Sequence, residues 1–397
     1  MKYSLLENAF SNEDINKGIT ILKSKQLTMS KTTKRFEAYF AKKIGAKYAL
    51  MVNSGSSANL LAISAITNPM FSKKLNQNDE VLIPAVCWST SLWPIIQLGL
   101  KPVFVDVDVE TLNISIDDLE KKISKKTKAI MCIHILGISS NMEKIEKICK
   151  KKNIIIIEDT CESLGAKYKS KNLGTFGQFG TYSFYFSHQI TSGEGGMIVC
   201  DNLHNYNILK TLRSHGWSRD TYFHKKFKKK YKDLNEKFLF INSGYNLRPT
   251  EIQAAIALNQ FKRLNNFKKI RQENRDKIIH YLKNSKVWNN QFKFVKINKF
   301  VKPSWFGLAV LINENYLHKK NKLINFLNKK GIENRPILSG NFLNQPAAKL
   351  YKLGIKKKYP KADEIEKRGF FIGLHTKKIS NKELSFLCNN LLKIEKI

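Results

Sequence analysis

The chain reads as an α/β protein, with a large domain built on a mainly parallel sheet and a smaller C-terminal α+β domain. Three observations predict this. Its 397 residues exceed the ~100–200 residues of an ordinary single domain. Between Tyr48 and Val199, short apolar runs rich in β-branched residues alternate with amphipathic, lysine-rich segments. Near-continuous apolar runs of that length suit strands covered by helices on both faces. After Gly244 the alternation gives way to a long helical periodicity.

Taken in order, the predicted strands of the large domain are KYALMV, EVLIPA, PVFVDV, AIMCIHIL, NIIIIED, TYSFYF and GMIVC. The intervening NMEKIEKICKKKN sets apolar residues at helical spacing with lysines opposite, as a sheet-covering helix requires. Pro249 opens TEIQAAIALNQFKRLNNFKKIRQENRDKIIHYLKN, a helical pattern free of Pro and Gly that would link the two domains. The domains are accordingly placed at 1–255, including an N-terminal helical segment, and 256–397, the linking helix and small domain. In the small domain WFGLAVLI and IENRPI read as strands, NKLINFLNKKG as a helix, and Asn381 to Leu392 as a closing helix.

Composition excludes several classes. No apolar run approaches the ~20 residues of a membrane span, and the first thirty residues lack a signal core, so the expected location is the cytoplasm. The six scattered cysteines form no C-x-x-C pair, which supports neither a disulfide framework nor a metal site. The net charge of +37 comes from short lysine runs spread over the whole chain. A nucleic-acid footprint would concentrate them on one element, so the runs read as solvated faces. Attraction of an acidic substrate such as a nucleotide diphosphate is the other use of such charge.

Four segments carry candidate chemistry. NSGSSANLLAI, from Asn53, places Gly55 and serines before an apolar helix, where N–H groups either bind phosphate or are simply capped. NIIIIEDTCESLGA ends a strand with Glu158 and Asp159, where a carboxylate can pair with a protonated ring nitrogen or cap a helix. PAVCWSTSLWP sets Trp88 just after a strand, available for stacking or for the core. TYSFYFSHQITSGEGGMIV, residues 181–199, contains His188.

That last segment resembles the sugar aminotransferases of the DegT/DnrJ/EryC1/StrS family, whose pattern S-F-x-x-x-K-x-I-x-x-G-E-G-G carries the lysine that tethers pyridoxal phosphate (PLP). Here His188 fills the lysine position. The resemblance implies a fold type I, aspartate aminotransferase-like PLP enzyme whose cofactor is held without a covalent bond. It implies that Gly55, Ser56 and Ser57 cradle the phosphate and that Ser183 reaches it too. Asp159 would be the pyridinium partner, Glu162 the contact to the ring hydroxyl, and Trp88 the stacking face. Asn246, in GYNLRPTEIQAA, would reach the cofactor phosphate of a neighbouring subunit, which makes the active sites shared within a homodimer. His215 and Arg219 in SHGWSRD are implied to bind sugar or carboxylate. Arg335 in ENRPILSGNF is a further carboxylate or diphosphate candidate, its planar fork favouring such groups.

Within the family, the exchange of lysine for histidine resembles the sugar 3-dehydratases. The implied reaction uses L-glutamate to convert PLP to pyridoxamine phosphate (PMP), with His188 as the base that moves protons. It then removes the 3-hydroxyl of a nucleotide-linked 4-keto-6-deoxy sugar, for dideoxysugar and surface-polysaccharide synthesis. No cysteine lies between Gly216 and Gln260 to hold the iron–sulfur cluster that CDP-sugar relatives carry; GDP is favoured by the resemblance alone, with CDP or a different 4-keto sugar left open. Gln189 departs from the second histidine of such relatives. Two other readings are a nucleotide-sugar 4-aminotransferase with a displaced lysine among Lys167, Lys169 and Lys171, and a non-catalytic PLP-binding sensor.

Overall fold

Apolar runs of five to seven residues lack the length for buried helices but suit strands, and seven of them pair into one sheet. The computed structural model describes residues 1–7, 9–354 and 357–397. In chain order the large-sheet strands and the small ribbon between them are β1 (Tyr48–Val52), β2 (Glu80–Pro84), β3 (Lys101–Val105), β4 (Thr127–Ile133), β5 (Ile155–Asp159), β6 (Lys167–Tyr168), β7 (Lys171–Asn172), β8 (Phe179–Ser183) and β9 (Gly196–Cys200). They are followed by β10 (Phe292–Phe294), β11 (Val301–Lys302), β12 (Gly307–Ile312), β13 (Asn334–Arg335) and β14 (Gly369–Gly373).

The large sheet runs β1-β9-β8-β5-β4-β2-β3. Strands β3, β2, β4, β5 and β8 are parallel, whereas β9 runs antiparallel to both β8 and β1. The ends of β2 and β5 and the turn after β8 therefore open on one edge, where open α/β sheets collect ligands. The helices α1 (Asn12–Ser24), α2 (Lys31–Ile44), α3 (Gly55–Ile66) and α4 (Ser89–Gln97) precede or interleave the first strands. A second, antiparallel sheet runs β10-β12-β14-β13. The ribbon β11-β6-β7 ties residues 301–302 to the segment after β5. One continuous apolar core includes Leu50, Ile83 and Ile130 of the large sheet and Leu308 and Ile372 of the small one. A smaller cluster gathers Phe36, Phe40, Phe184 and Phe261 beneath α2.

Four differences from the sequence reading have physical causes. The long helix expected after Pro249 is two, Glu251–Lys262 and Leu264–Lys283, broken at Arg263, whose guanidinium turns to pair with the buried Asp14. The strand expected to run to Phe186 stops at Ser183, because the chain folds back and the N–H of Phe184 bonds to the carbonyl of Gly195. Of IENRPI only Asn334–Arg335 pairs. The run GFFIG, whose Phe and Ile favour strands but whose flanking glycines do not and which the sequence reading left unassigned, is a central strand, β14, with partners on both sides. Among the described residues no helix is long and apolar enough to cross a membrane, and the six cysteines are free.

Candidate active site

The chain leaves β1 and enters α3 through Ser54, whose Oγ accepts from the N–H of Ser57 at 3.1 Å. The Ser57 hydroxyl donates to Asn53 Oδ1 at 2.6 Å, so Ser57 is turned into the cap. The N–H groups of Gly55 and Ser56, lacking intrahelical acceptors, form the anion-favouring end of the helix. A Cβ on Gly55 would lie 2.5 Å from Ser183 Cβ and 2.9 Å from Cys161 Sγ, so only glycine fits against β8 here. Gly196, from the GEGG run, is equally constrained: a Cβ there would stand 2.2 Å from the carbonyl oxygen of Ser54. The motif around His188 and the motif around Gly55 thus build one cradle from segments well over a hundred residues apart.

Ser56 Oγ donates to Thr90 Oγ1 at 2.9 Å, joining the start of α3 to that of α4. Trp88 precedes α4 and is 54% exposed, so it is no core residue and its indole is available at the surface.

Asp159 ends β5, and its carboxylate is fixed from two helices. Oδ2 accepts from Asn59 Nδ2 and from Ser91 Oγ, both at 2.7 Å, while Oδ1 accepts from the N–H of Cys161 at 3.1 Å. Asn59 is itself anchored, its Oδ1 accepting from Thr181 Oγ1 at 2.6 Å. Asn59 and Ser91 were missed by sequence reasoning. The signal was their placement inside quoted motifs, Asn59 one helical turn after Gly55 and Ser91 just inside α4. The adjacent Glu158 points the other way, accepting from His134 Nε2 and from the N–H groups of Gly174, Phe176 and Gly177, so it braces a loop. Glu162 is partly exposed, and its Oε2 accepts from the N–H of Leu136 at 2.9 Å. Burial pushes its carboxyl up to about 7; the Leu136 N–H opposes this and the charge of Asp159 adds to it.

His188 lies in the turn after β8, its N–H bonded to the Tyr185 carbonyl at 3.0 Å. The ring meets Tyr185 and Phe306 edge-on, with centroids at 5.8 and 5.1 Å. Its Nδ1 is buried and has no hydrogen-bond partner. Burial, then the charge of Arg271, pushes the imidazole down to about 3, so it is unprotonated at neutral pH. Gln189 is buried and donates to the carbonyls of Glu162 and Ser304, tying the turn to both.

The remaining candidates form separate groups. Asn246 and Arg219 line a cavity of about 500 Å³ with Trp217, Arg213 and Arg248, and none of Gly55, Asp159 or His188 lines it. The two places are neighbours through the chain, because the N–H of Asn53 bonds to the carbonyl of Leu247. Arg219 stacks over Trp217 at 4.4 Å, and the ring of His215 meets the same indole at 5.0 Å. Arg335 is exposed on β13, opposite Phe371 of β14, so both side chains stand on one sheet face. Phe371 packs on Phe306 and Phe306 on His188, so that face looks toward the histidine. The segment that follows Arg335 crosses the end of β2, where Ser339 Oγ donates to the carbonyl of Cys87 beside Trp88.

The chemistry available is therefore an anion seat at α3, a fixed carboxylate at β5, an open indole, and an unprotonated imidazole. A planar, phosphate-bearing ring with a basic nitrogen is the kind of molecule such a set can hold. A GDP-4-keto-6-deoxy-D-mannose 3-dehydratase of Escherichia coli O55:H7 is 38% identical over 382 residues, covering 94% of this chain and 96% of that protein. The solved E. coli GDP-4-keto-6-deoxy-D-mannose 3-dehydratase with bound hydrated PLP superposes with a TM-score of 0.89 at 36% identity, covering 98% of this chain and 99% of that one. A solved GDP-4-keto-6-deoxymannose 3-dehydratase with a trapped PLP-glutamate geminal diamine gives a TM-score of 0.88 at 35% identity, covering 98% and 100%. The model of the DegT/DnrJ/EryC1/StrS aminotransferase family matches residues 8–391, and this chain belongs to that family.

Proposed function

We propose that the chain is a PLP-dependent 3-dehydratase that removes the 3-hydroxyl of GDP-4-keto-6-deoxymannose, with L-glutamate as amine donor, for dideoxysugar synthesis. The observation that carries this is His188, an unprotonated imidazole with a free Nδ1, standing where the family has its lysine. The lysines that could substitute lie in the β6–β7 ribbon, outside the turn that carries His188. Lys169 pairs with Glu143 at 2.7 Å, Lys171 lies 3.9 Å from Glu146, and Lys167 sits in the ribbon strand β6.

The residues present fit PLP. The α3 N-terminus and Ser183 would take the phosphate, and Asp159 would take the ring nitrogen. Trp88 would cover one ring face and Glu162 would meet the ring hydroxyl. Bound there, the cofactor supplies an amino-group carrier and an electron sink. Asn59 and Ser91 hold the Asp159 carboxylate in place. Glu162, with its carboxyl near 7, can offer or accept a hydrogen bond at neutral pH. His188 takes a proton from carbon and returns one to the departing 3-hydroxyl. Anionic phosphate and carboxylate groups arriving with cofactor and substrate would raise its basicity.

Overall, sugar and glutamate give the 3-deoxy sugar, 2-oxoglutarate and ammonia; the 3-hydroxyl leaves as water, and one water supplies the oxo oxygen of the 2-oxoglutarate, so the sum balances. We further infer a homodimer in which Asn246 faces the partner's cofactor phosphate, domains at 1–255 and 256–397, and a cytoplasmic location. His215, Arg219 and Arg335 are assigned to substrate.

The test is mass spectrometry of the sugar formed from GDP-4-keto-6-deoxymannose, PLP and glutamate. A ketone lighter by one oxygen atom, with ammonia released, is expected, and His188→Asn should lower its rate by ~10²–10⁴-fold. An amino sugar that retains its 3-hydroxyl would overturn the reading.

A further inference from the structure

Arg271 lies on the helix Leu264–Lys283, fully buried, and no motif singles it out. Four arginines are buried among the described residues: Arg213, Arg271, Arg275 and Arg368. Arg213 pairs with Glu37, Arg275 with Asp276, and Arg368 with Glu314 and Glu364. Arg271 alone of the four forms no ion pair. Its two polar contacts are backbone carbonyls: Nη1 donates to Trp305 at 3.1 Å and Nη2 to His188 at 3.2 Å, while its Nε finds no partner.

A buried guanidinium without a carboxylate is unfavourable on desolvation grounds, so its retention calls for a reason in what it holds. Both carbonyls belong to irregular chain. One lies in the turn that presents His188, the other in the bend from Ser304 to Phe306 whose last ring packs against the His188 imidazole at 5.1 Å. A second tie runs beside it, from Gln189 Nε2 to the Ser304 carbonyl at 3.0 Å. The planar fork offers the two acceptors separate nitrogens in a fixed geometry, which the single nitrogen of a lysine does not.

We propose that Arg271 is a positioning residue for His188, clamping the histidine turn to the Ser304–Phe306 bend so that the imidazole keeps one orientation against Phe306. The charge has a second effect, because it opposes protonation of the ring. Tyr185 of its own turn and Phe306 of the bend pack on the imidazole, and Arg271 reaches the His188 carbonyl from the helix. Of these only Arg271 is charged. This inference rests on His188 being the base.

The experiment compares Arg271→Met and Arg271→Lys with the full-length enzyme. Hydrogen exchange of the cofactor-free protein is expected to rise in residues 184–192 in Arg271→Met, and less in Arg271→Lys, which keeps the charge and a donating nitrogen but loses the planar fork. With PLP, kcat of Arg271→Met should fall ~10–100-fold, as for a misplaced catalytic group. Cofactor Kd and sugar KM should hold within about twofold, since neither the α3 cradle nor Asp159 contacts Arg271. The acid limb of its pH–rate profile should move up by roughly one unit, the size of a neighbouring charge, and Arg271→Lys should restore the limb and part of kcat. In a His188→Asn background Arg271→Met should add nothing. Unchanged exchange and kcat would overturn the proposal, as would parallel losses of kcat, Kd and thermal stability. A His188→Asn enzyme that still makes the 3-deoxy sugar would sink the functional reading instead, and the exchange data on the clamp would stand apart from it.

Discussion

Replacing Asn59 by leucine tests how the Asp159 carboxylate is held. Leucine keeps the branched skeleton of asparagine at this buried position, its methyl groups being bulkier than the amide atoms they replace, and the principal change is the loss of hydrogen bonds. The bond from Asn59 Nδ2 to Asp159 Oδ2 at 2.7 Å is lost, at ~1.5–3 kcal/mol for a bond to a charged group. Thr181 loses its 2.6 Å bond to Asn59 Oδ1 but keeps the Glu158 carbonyl at 3.2 Å, which limits that loss to about 1 kcal/mol. Ser91 remains on Asp159 at 2.7 Å. The sum is ~2.5–4 kcal/mol, read as a lower urea midpoint of the cofactor-free protein. A carboxylate held by one side chain instead of two should also bind PLP more weakly, by roughly tenfold per 1.4 kcal/mol of lost alignment, measured by equilibrium dialysis. A stability change under ~0.5 kcal/mol together with unchanged cofactor affinity would refute the claim that Asn59 positions Asp159.

Three other substitutions separate binding from stability. Gly55→Ala puts a methyl group 2.5 Å from Ser183 Cβ; it should lower stability by ~1–3 kcal/mol and weaken PLP binding at least ~10-fold, both read by titration and urea unfolding. Trp88→Ala, at a site 54% exposed, should leave the urea midpoint within ~0.5 kcal/mol of wild type while raising the PLP Kd roughly tenfold, an aromatic stacking contribution. Glu162→Gln addresses pH: the folded carboxyl sits near 7, above its ordinary 4.5, so the stability it contributes is present below 4.5 and is lost as pH rises through 7. The variant, which cannot ionise, should gain thermal stability relative to wild type across that window, and parallel melting curves would contradict the assignment.

The large sheet was legible because its strands are buried on both faces and therefore read as unbroken apolar runs, such as NIIIIED before Asp159. The small sheet was less so. GFFIG is short and bounded by glycines, and only its tertiary pairing with β12 and β13 makes it a strand. The break at Arg263 was invisible for a similar reason, since Arg263 is a good helix former and its ion-pair partner, Asp14, lies some 250 residues earlier. In the site, residues within contiguous motifs could be named: Gly55, Asp159, Ser183, His188. Their supports could not. Asn59 looks like any polar residue in an apolar helix, and Arg271 like one more cation in a chain of net charge +37. Trp88 was open to two readings, and its exposure decides against the core.

The histidine and its surroundings form one solution. A site that gives up its lysine gives up the covalent hold on the cofactor, so retention must come from contacts that are rigid before the cofactor arrives. The doubly held Asp159 and the glycine-lined α3 cradle have that character, and the exposed indole of Trp88 loses little by being covered. The same exchange relaxes an electrostatic conflict. A lysine at 188 would set a second cation beside a guanidinium that has no carboxylate of its own, in a place where burial already disfavours charge. A neutral imidazole tolerates that neighbour, and its carbonyl uses it. On the proposed reading, the base at His188 and the buried guanidinium bonded to its carbonyl are therefore compatible because no lysine stands there.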